Sequence, residues 1–394
     1  MVNPTLATLA TLFALSVSSI GVHAQCTAAP GTPLTKSFPL AGLSAVSLLE
    51  VPAQGGTKWN APITAESQAV RVFNDGTGPD VVVTIQIDGP AALLSQFTTS
   101  IDETSNTITA KVQQPPVINQ GDCIKSLISI TFPASTTILP PITIDTSIST
   151  IYLPATPASL DSLSVSSTSG GVYSTAALTV NKDLQIKTTS GDVSLKSGVS
   201  AATLVSSTTS GNARFANASI ASQARLSAQS GSITALYVSL GKTATTLDVK
   251  TTSGDIVLAG LTASGAATVK VETNSGNGWF GLDKTSFGSV AFKTEAGTLK
   301  LGSGITPSQA DQKAAGGKIG GGGDATLTAA STSGNLQAIA EVVSGDRFTI
   351  PQTAPDVQQP SDGDWGRSVA SGAGRSFRCE FFGILVGFAV LYTL

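Results

Sequence analysis

The side chains best placed to do chemistry stand just behind a recurring Ser-Gly pair. Asp192, Asn212, Asp255, Asn277 and Asn335 each follow such a glycine. A file of side-chain oxygens, one per repeat, would suit Ca²⁺ or the hydroxyls of a sugar. The same residue types also close tight corners, because Asp and Asn bond to nearby backbone. Turn chemistry is the favoured reading, since Gly171, Ser232 and Thr298 interrupt the file. Two positions further on stand Tyr173, Arg214, Trp279 and Lys300. Aromatic rings there could stack on sugars. Tyr173 and Trp279 are five repeats apart, roughly 24 Å at ~4.8 Å per repeat, so they cannot share a subsite. Packing is favoured for both, with a bulge at Gly278 turning the indole inward.

Other motifs are weaker. Gly320 to Gly323 before Asp324 has the glycines of a calcium-binding repeat in the wrong register and in one copy. Gly316-Gly317-Lys318 lacks the earlier glycine and the Ser/Thr of a phosphate loop and reads as linker. The charges Lys187, Lys250, Glu272 and Lys293 are scattered like a solvated face, not clustered like paired catalytic carboxylates. No catalytic residue, cofactor or metal site is expected. A polysaccharide lyase or hydrolase built on a β-helix stands as the enzymatic alternative.

The ends of the chain change this inventory. Residues 1–24 carry no Asp, Glu, Lys or Arg and hold an apolar run from Leu6 to Ile20, the pattern of a secretory signal peptide cut before Gln25. An uncleaved N-terminal membrane helix is the alternative. Phe381 to Leu394 is a 14-residue apolar tail, short of the ~20 residues of a membrane span. Small residues from Ser368 to Gly374 and a polar spacer precede it, which matches a GPI-attachment signal with Ser371 or Gly372 as attachment site and Ser368 as a third candidate. A retained single span and a buried C-terminal segment are the alternatives. Processing would remove His23, the only histidine, together with Cys379. Cys26 and Cys123 would remain in an oxidising compartment, where an even pair reads as one disulfide and two separate thiols are the alternative. Such a bridge would close nearly 100 residues and contribute roughly 4–5 kcal/mol on a chain-entropy model. Asn217-Ala218-Ser219 is an N-glycosylation sequon in the mature region.

These residues need elements to hold them. Ser-Gly closes seven strand-like runs, at Gly170, Gly191, Gly211, Gly231, Gly254, Gly276 and Gly334, and Ala296-Gly297 makes an eighth. Their spacing is 20 to 23 residues up to Gly297, then 37. Seven and five positions before each glycine, and two and four after it, the residues are apolar with few exceptions, as in Val249, Ile256 and Leu258. A spacing of two is strand periodicity. A repeat this short cannot bury its own apolar face and must stack on its neighbours. Residues 63–153 read as longer alternating strands, such as Val81 to Ile87, Thr107 to Val112 and Leu127 to Phe132. Residues 302–323 interrupt the period and read as a loop.

The recurring Val/Ile-x-Thr-x-Ser-Gly-Asp/Asn-Val/Ile-x-Leu phrase is clearest from Ile186 to Leu195 and from Val249 to Leu258. Over about residues 125–345 the chain resembles the predicted-adhesin β-solenoid family of bacterial and fungal surface proteins. That resemblance implies a fold and a surface role, and it supplies no catalytic residues.

The expectation is therefore an all-β chain forming a right-handed parallel β-solenoid with coils of about 21 residues, extended by further strands. Its parts are a signal peptide (1–24), an N-terminal β region (25–160), the repeat region (161–345), a flexible stalk (346–374) and an anchor signal (375–394). The expected role is a secreted, surface-anchored, non-catalytic adhesion or cell-wall interaction module. A wall or coat protein without specific ligand is the alternative. Expected partners are a cell-wall or host-surface polysaccharide or glycoprotein, and a membrane reached through the lipid anchor or span. Net charge is −3, and nothing forms the basic stripe that nucleic acid requires.

Overall fold

The computed structural model describes residues 30–59, 68–119, 124–153, 158–174, 176–242 and 244–342. Alternation of β-branched and polar residues makes nearly all of it strand. One helical turn, Ala91–Leu94, follows Pro90.

The repeats stack as layers, each giving one strand to each of two faces. On the first face Leu163–Ser167, Leu178–Thr188, Val199–Thr208, Ala218–Ala228, Thr246–Thr251 and Thr268–Thr273 pair in parallel, in that order. On the second face Val172–Ser174, Val193–Leu195, Ala213–Ala216, Ile233–Leu236, Ile256–Ala263 and Gly278–Asp283 do the same. Register follows the apolar columns: Leu163 pairs with Leu184, Ile186 with Ser206, and Ile233 with Ile256. A one-residue slip would turn every Val, Ile and Leu outward, so the pattern fixes the register. Val249, Ile256 and Leu258 are fully buried, and all eight copies of both columns before the glycine are buried.

The right-handed parallel β-solenoid expected from the repeat is corrected. The strands of both faces belong to one 30-stranded sheet, among the described residues, that closes into a near-barrel. Ile256–Ala263 shows how the faces join, since it pairs with Ile233–Leu236 on one and with Ser239–Leu240 on the other. Nor does the chain wind layer after layer. Ala325–Ser331 inserts between Thr268–Thr273 and Phe287–Thr294, and Leu336–Glu341 inserts between Gly278–Asp283 and Leu299–Leu301. The Gly334 layer thus lies inside the Gly297 layer, which explains the 37-residue interval. The other end repeats the device: Ala45–Val51 lies between Thr107–Gln113 and Ile142–Thr146.

Both ends finish in antiparallel pairs. Thr98–Thr104 covers Thr107–Gln113, and Leu34–Pro39 covers Asp80–Asp88. At the far end Ile305–Ala310 and Ala314–Ile319 form a hairpin against Phe287–Thr294. The expected loop over 302–323 is therefore largely strand, and Gly316-Gly317-Lys318 lies inside it. Asp311 makes the turn, its Oδ1 accepting from the Lys313 and Ala314 backbone N–H at 2.7 and 2.6 Å. Open sheet edges invite further pairing, and closure plus Pro39 and Pro307 in edge strands prevents it.

Candidate functional site

The corner comes first because it sets everything outside it. Each corner glycine sits directly over the one in the next layer. A Cβ on Gly191, Gly211, Gly231, Gly254 or Gly276 would collide with the carbonyl oxygen of the glycine below. None of these glycines has a positive φ. Close approach of backbone, not turn conformation, excludes a side chain here.

A buried hydroxyl three residues earlier completes the corner. Thr208, Thr251, Thr273 and Thr294 accept from the N–H of Gly211, Gly254, Gly276 and Gly297 at 2.9–3.0 Å, and Ser331 does so for Gly334 at 2.6 Å. Sequence reasoning missed this column. Its signal was Ser or Thr in every copy except Ala228.

The Asp/Asn file lies one step outside. Asp192 Oδ1 accepts from the Asn212 backbone N–H at 2.7 Å, and Asn212 Oδ1 accepts from Ser232 at 3.0 Å. Asp255, Asn277 and Asn335 continue in the same way to Asn277, Asn335 and Thr298. One side-chain oxygen of each residue in the file is thus engaged by backbone of the next layer. Among the described residues no group of three His, Cys, Asp or Glu side chains could hold a metal ion.

Two positions further, one row crosses the whole outer surface of the second face. Strand register runs it through Arg71, Tyr152, Tyr173, Ser194, Arg214, Thr234, Val257, Trp279, Gln337 and Lys300. The Arg71 guanidinium lies 5.3 Å from the centre of the Tyr152 ring, and the Tyr152 and Tyr173 centroids are 6.1 Å apart. Tyr173 also lies across the space where a side chain on Gly171 would go, which accounts for that break in the Asp/Asn file. Burial, reinforced by Asp192, pushes the Tyr173 phenol up from its ordinary value. Burial, together with the Arg214 cation, pulls the Lys196 ammonium down. Arg71 and Arg214 on the row, with Lys196 beside Arg214, make this half of the face basic as well as aromatic.

Trp279 does not turn inward. It keeps its register opposite Val257 and stays on the outer face, buried with Val257, Ala259 and Ile339. Gly278 instead makes room for the core, since a Cβ there would stand 2.7 Å from the Phe280 ring and 2.8 Å from Leu336. Across the molecule, Lys250 and Lys270 both pair with Glu272, at 3.2 and 2.7 Å. Those ammonium groups hold the Glu272 carboxyl below its ordinary value. This is the solvated charged face expected from the sequence.

Glu50 was not singled out by its sequence. It is 4% exposed and lies where the column of corners begins. It accepts from the Ser149 and Ile148 backbone N–H at 3.0 and 3.4 Å and from the Gln114 amide. Burial raises its carboxyl above the usual range despite these bonds.

Asn217 is exposed, at a corner where its φ of 50° is left-handed. Ser371, Gly372 and Ser368 lie outside the described residues, as do Cys26 and Cys123. The expected Cys26–Cys123 bridge is not borne out among the described residues, because both cysteines lie outside them. No helix among them is long and apolar enough to cross a membrane. The C-terminal span expected as a membrane partner reading is not borne out there, since Phe381 to Leu394 lies outside the described residues, and nothing among them identifies a polysaccharide or glycoprotein partner.

These features define an all-β domain with broad sheet faces and a layered glycine corner. The chain belongs to the Toastrack DUF4097 family, whose profile matches residues 100–338. The resemblance read from the repeat phrase thus leads to a family of unknown function. No curated protein matches the sequence. Among solved structures, the chain is similar to a candidate cell adhesion protein of Clostridium sporogenes, at 9% identity and a TM-score of 0.25, over 79% of this chain and 100% of that one. It is also similar to adhesin candidates from Parabacteroides distasonis (14%, TM-score 0.38, 79% and 98% covered) and Parabacteroides merdae (11%, TM-score 0.36, 78% and 96% covered).

Proposed function

We propose that this protein is a non-catalytic adhesion module displayed outside the cell. The observation that carries the reading is the Arg71–Tyr152–Tyr173 stack on an open sheet face, continued by Lys196 and Arg214. Tyrosine and arginine supply large contact area with few rotors, which suits them to recognition surfaces. The family membership and the secretory pattern of residues 1–24 support the same reading. Display after removal of that segment, with a lipid anchor at Ser371 or Gly372, completes the proposal, and Asn217 is positioned to carry an N-glycan.

The test uses residues 25–360 as a soluble fragment, applied to intact cells over a concentration series. Saturable binding that falls at least tenfold in Tyr152→Ala/Tyr173→Ala, with unchanged circular dichroism, is the expected result. Absence of saturable binding by the parent fragment would overturn the adhesion reading in favour of a structural coat protein. Release of the protein from cells by phosphatidylinositol-specific phospholipase tests the anchor separately.

A further inference from the structure

The chain turns a second corner after each strand of the second face, on its way to the next strand of the first. Gly198, Asn217, Tyr237 and Gly260 occupy that corner in four successive layers, and all four have a positive φ, at 119°, 50°, 55° and 65°. Backbone bonds tie these layers together: the Asn217 N–H donates to the Leu236 carbonyl at 2.9 Å, and the Tyr237 N–H to the Ala259 carbonyl at 2.7 Å. Glycine takes this conformation readily, and Asn more readily than most residues. A tyrosine in it is an outlier. Among the described residues, the other non-glycine residues with positive φ are Ser105 and Asn106, which make the hairpin turn between Thr98–Thr104 and Thr107–Gln113. A strained backbone that carries a large side chain calls for a use.

Asn217 and Tyr237 are neighbours across one layer. Ala216 pairs with Leu236 and Ser219 with Ser239, which places Asn217 beside Tyr237. Their matching φ sends the two side chains out of the corner in parallel, ~4.8 Å apart at their roots. Asn217 is exposed and opens the sequon Asn217-Ala218-Ser219, in which Ser219 is exposed too. Tyr237 is half-buried. Its ring lies where a side chain on Gly260 would go, with Cδ1 2.9 Å from that Cβ position. Leaning that way it packs on the cluster of Val257, Ala259, Trp279 and Ile339, and its other side is left toward Asn217. On the opposite flank of Asn217, Gly198 offers backbone and no ring.

We propose that Tyr237 is a sugar platform: the first N-acetylglucosamine of a glycan on Asn217 Nδ2 lays its apolar face on the Tyr237 ring. The inference rests on the reading of Asn217 as a glycosylation site. One face of such a sugar presents C–H bonds and is apolar, so it packs on an aromatic ring while the hydroxyls at its edge stay in water. The layer spacing of ~4.8 Å falls in the range of stacked rings.

The full chain, secreted from a eukaryotic host, tests it. Mass spectrometry of the Asn217 peptide reads occupancy. In the unsubstituted protein the protons of the first sugar should shift upfield in the ring current of Tyr237. Tyr237→Gly, which suits the positive φ, should abolish that shift. Ser219→Ala removes the glycan and keeps Asn217. It should lower the melting temperature by about 2 °C or more in the parent and in Tyr237→Phe, and by under about 0.5 °C in Tyr237→Gly. An occupied Asn217 whose first sugar shows no upfield shift would overturn the inference and leave the glycosylation reading standing. An equal effect of Ser219→Ala with and without the ring would do the same. An unoccupied Asn217 would overturn both.

Discussion

Gly211 lies so close above Gly191 that any Cβ on Gly211 would strike the Gly191 carbonyl oxygen. The same contact recurs from Gly170, which sits over Ser149, through to the Gly297 layer. It ties the repeat phrase to the spacing between layers: backbone must meet backbone at the corner if strands on both sides are to pair.

Gly211→Ala should therefore destabilise the protein by about 3 kcal/mol or more, because backbone itself must move. Gly78, which has open space around it, supplies the control, and Gly78→Ala should stay within ~0.5 kcal/mol. Denaturant unfolding of the two variants measures both. Similar values would remove the steric account of the corner.

The hydroxyl behind the corner should be separable from the glycine. Thr251→Val keeps the shape but leaves the buried Gly254 N–H without its acceptor, at a cost of ~1–3 kcal/mol. Ala228→Thr would supply the hydroxyl that the Gly231 layer lacks and should gain about 1 kcal/mol. Thermal unfolding of the pair should show shifts of opposite sign.

Inward and outward positions of one layer should differ sharply. Ile256 is fully buried, and Ile256→Asp places a carboxylate among apolar side chains at a cost of several kcal/mol. Lys250 is exposed and paired with Glu272 at 3.2 Å, so Lys250→Asp should cost ~0–1 kcal/mol. Secretion yield and cooperative unfolding read the difference. Equal tolerance of both changes would mean that the register is misassigned.

Glu50 should leave a signature in the pH dependence of stability. Its folded-state pKa lies above the ordinary carboxylate value because burial disfavours the anion. As pH rises past about 4.3 the unfolded chain loses this proton first. The contribution of Glu50 is therefore fully present below that pH and is lost as pH climbs through the folded pKa. Glu50→Gln removes the titration, and rotation of the Gln114 amide restores a hydrogen bond to the new side chain. The variant should show a flatter fall of unfolding free energy above pH 4.3 than the parent, measured by urea denaturation at a series of pH values.

The sequence by itself determined which side chains face inward, because strand periodicity of two and burial of apolar area are local consequences of residue type. Leu163, Ile186, Val249 and Ile256 were legible for that reason, whereas Asp192 and Asn212, which read as local turn formers, bond to the backbone of the next layer. It also marked the glycine corners, although their cause, contact between glycines 20 to 23 residues apart along most of the stack, is not a local property. Tertiary structure alone decided the order of the layers. Nothing in the phrase around Gly334 says that its strands slot inside those of Gly297, since every copy offers the same pairing edges and only the hairpin at Ile305–Ile319 makes the Gly297 layer the last. The same holds for closure of the two faces into a near-barrel, and for the outer row in which Arg71 and Tyr152, far apart in the chain, become neighbours. Glu50 escaped notice because a lone carboxylate in an alternating strand reads as solvated. Only the packing of the first corner against it shows that it is buried.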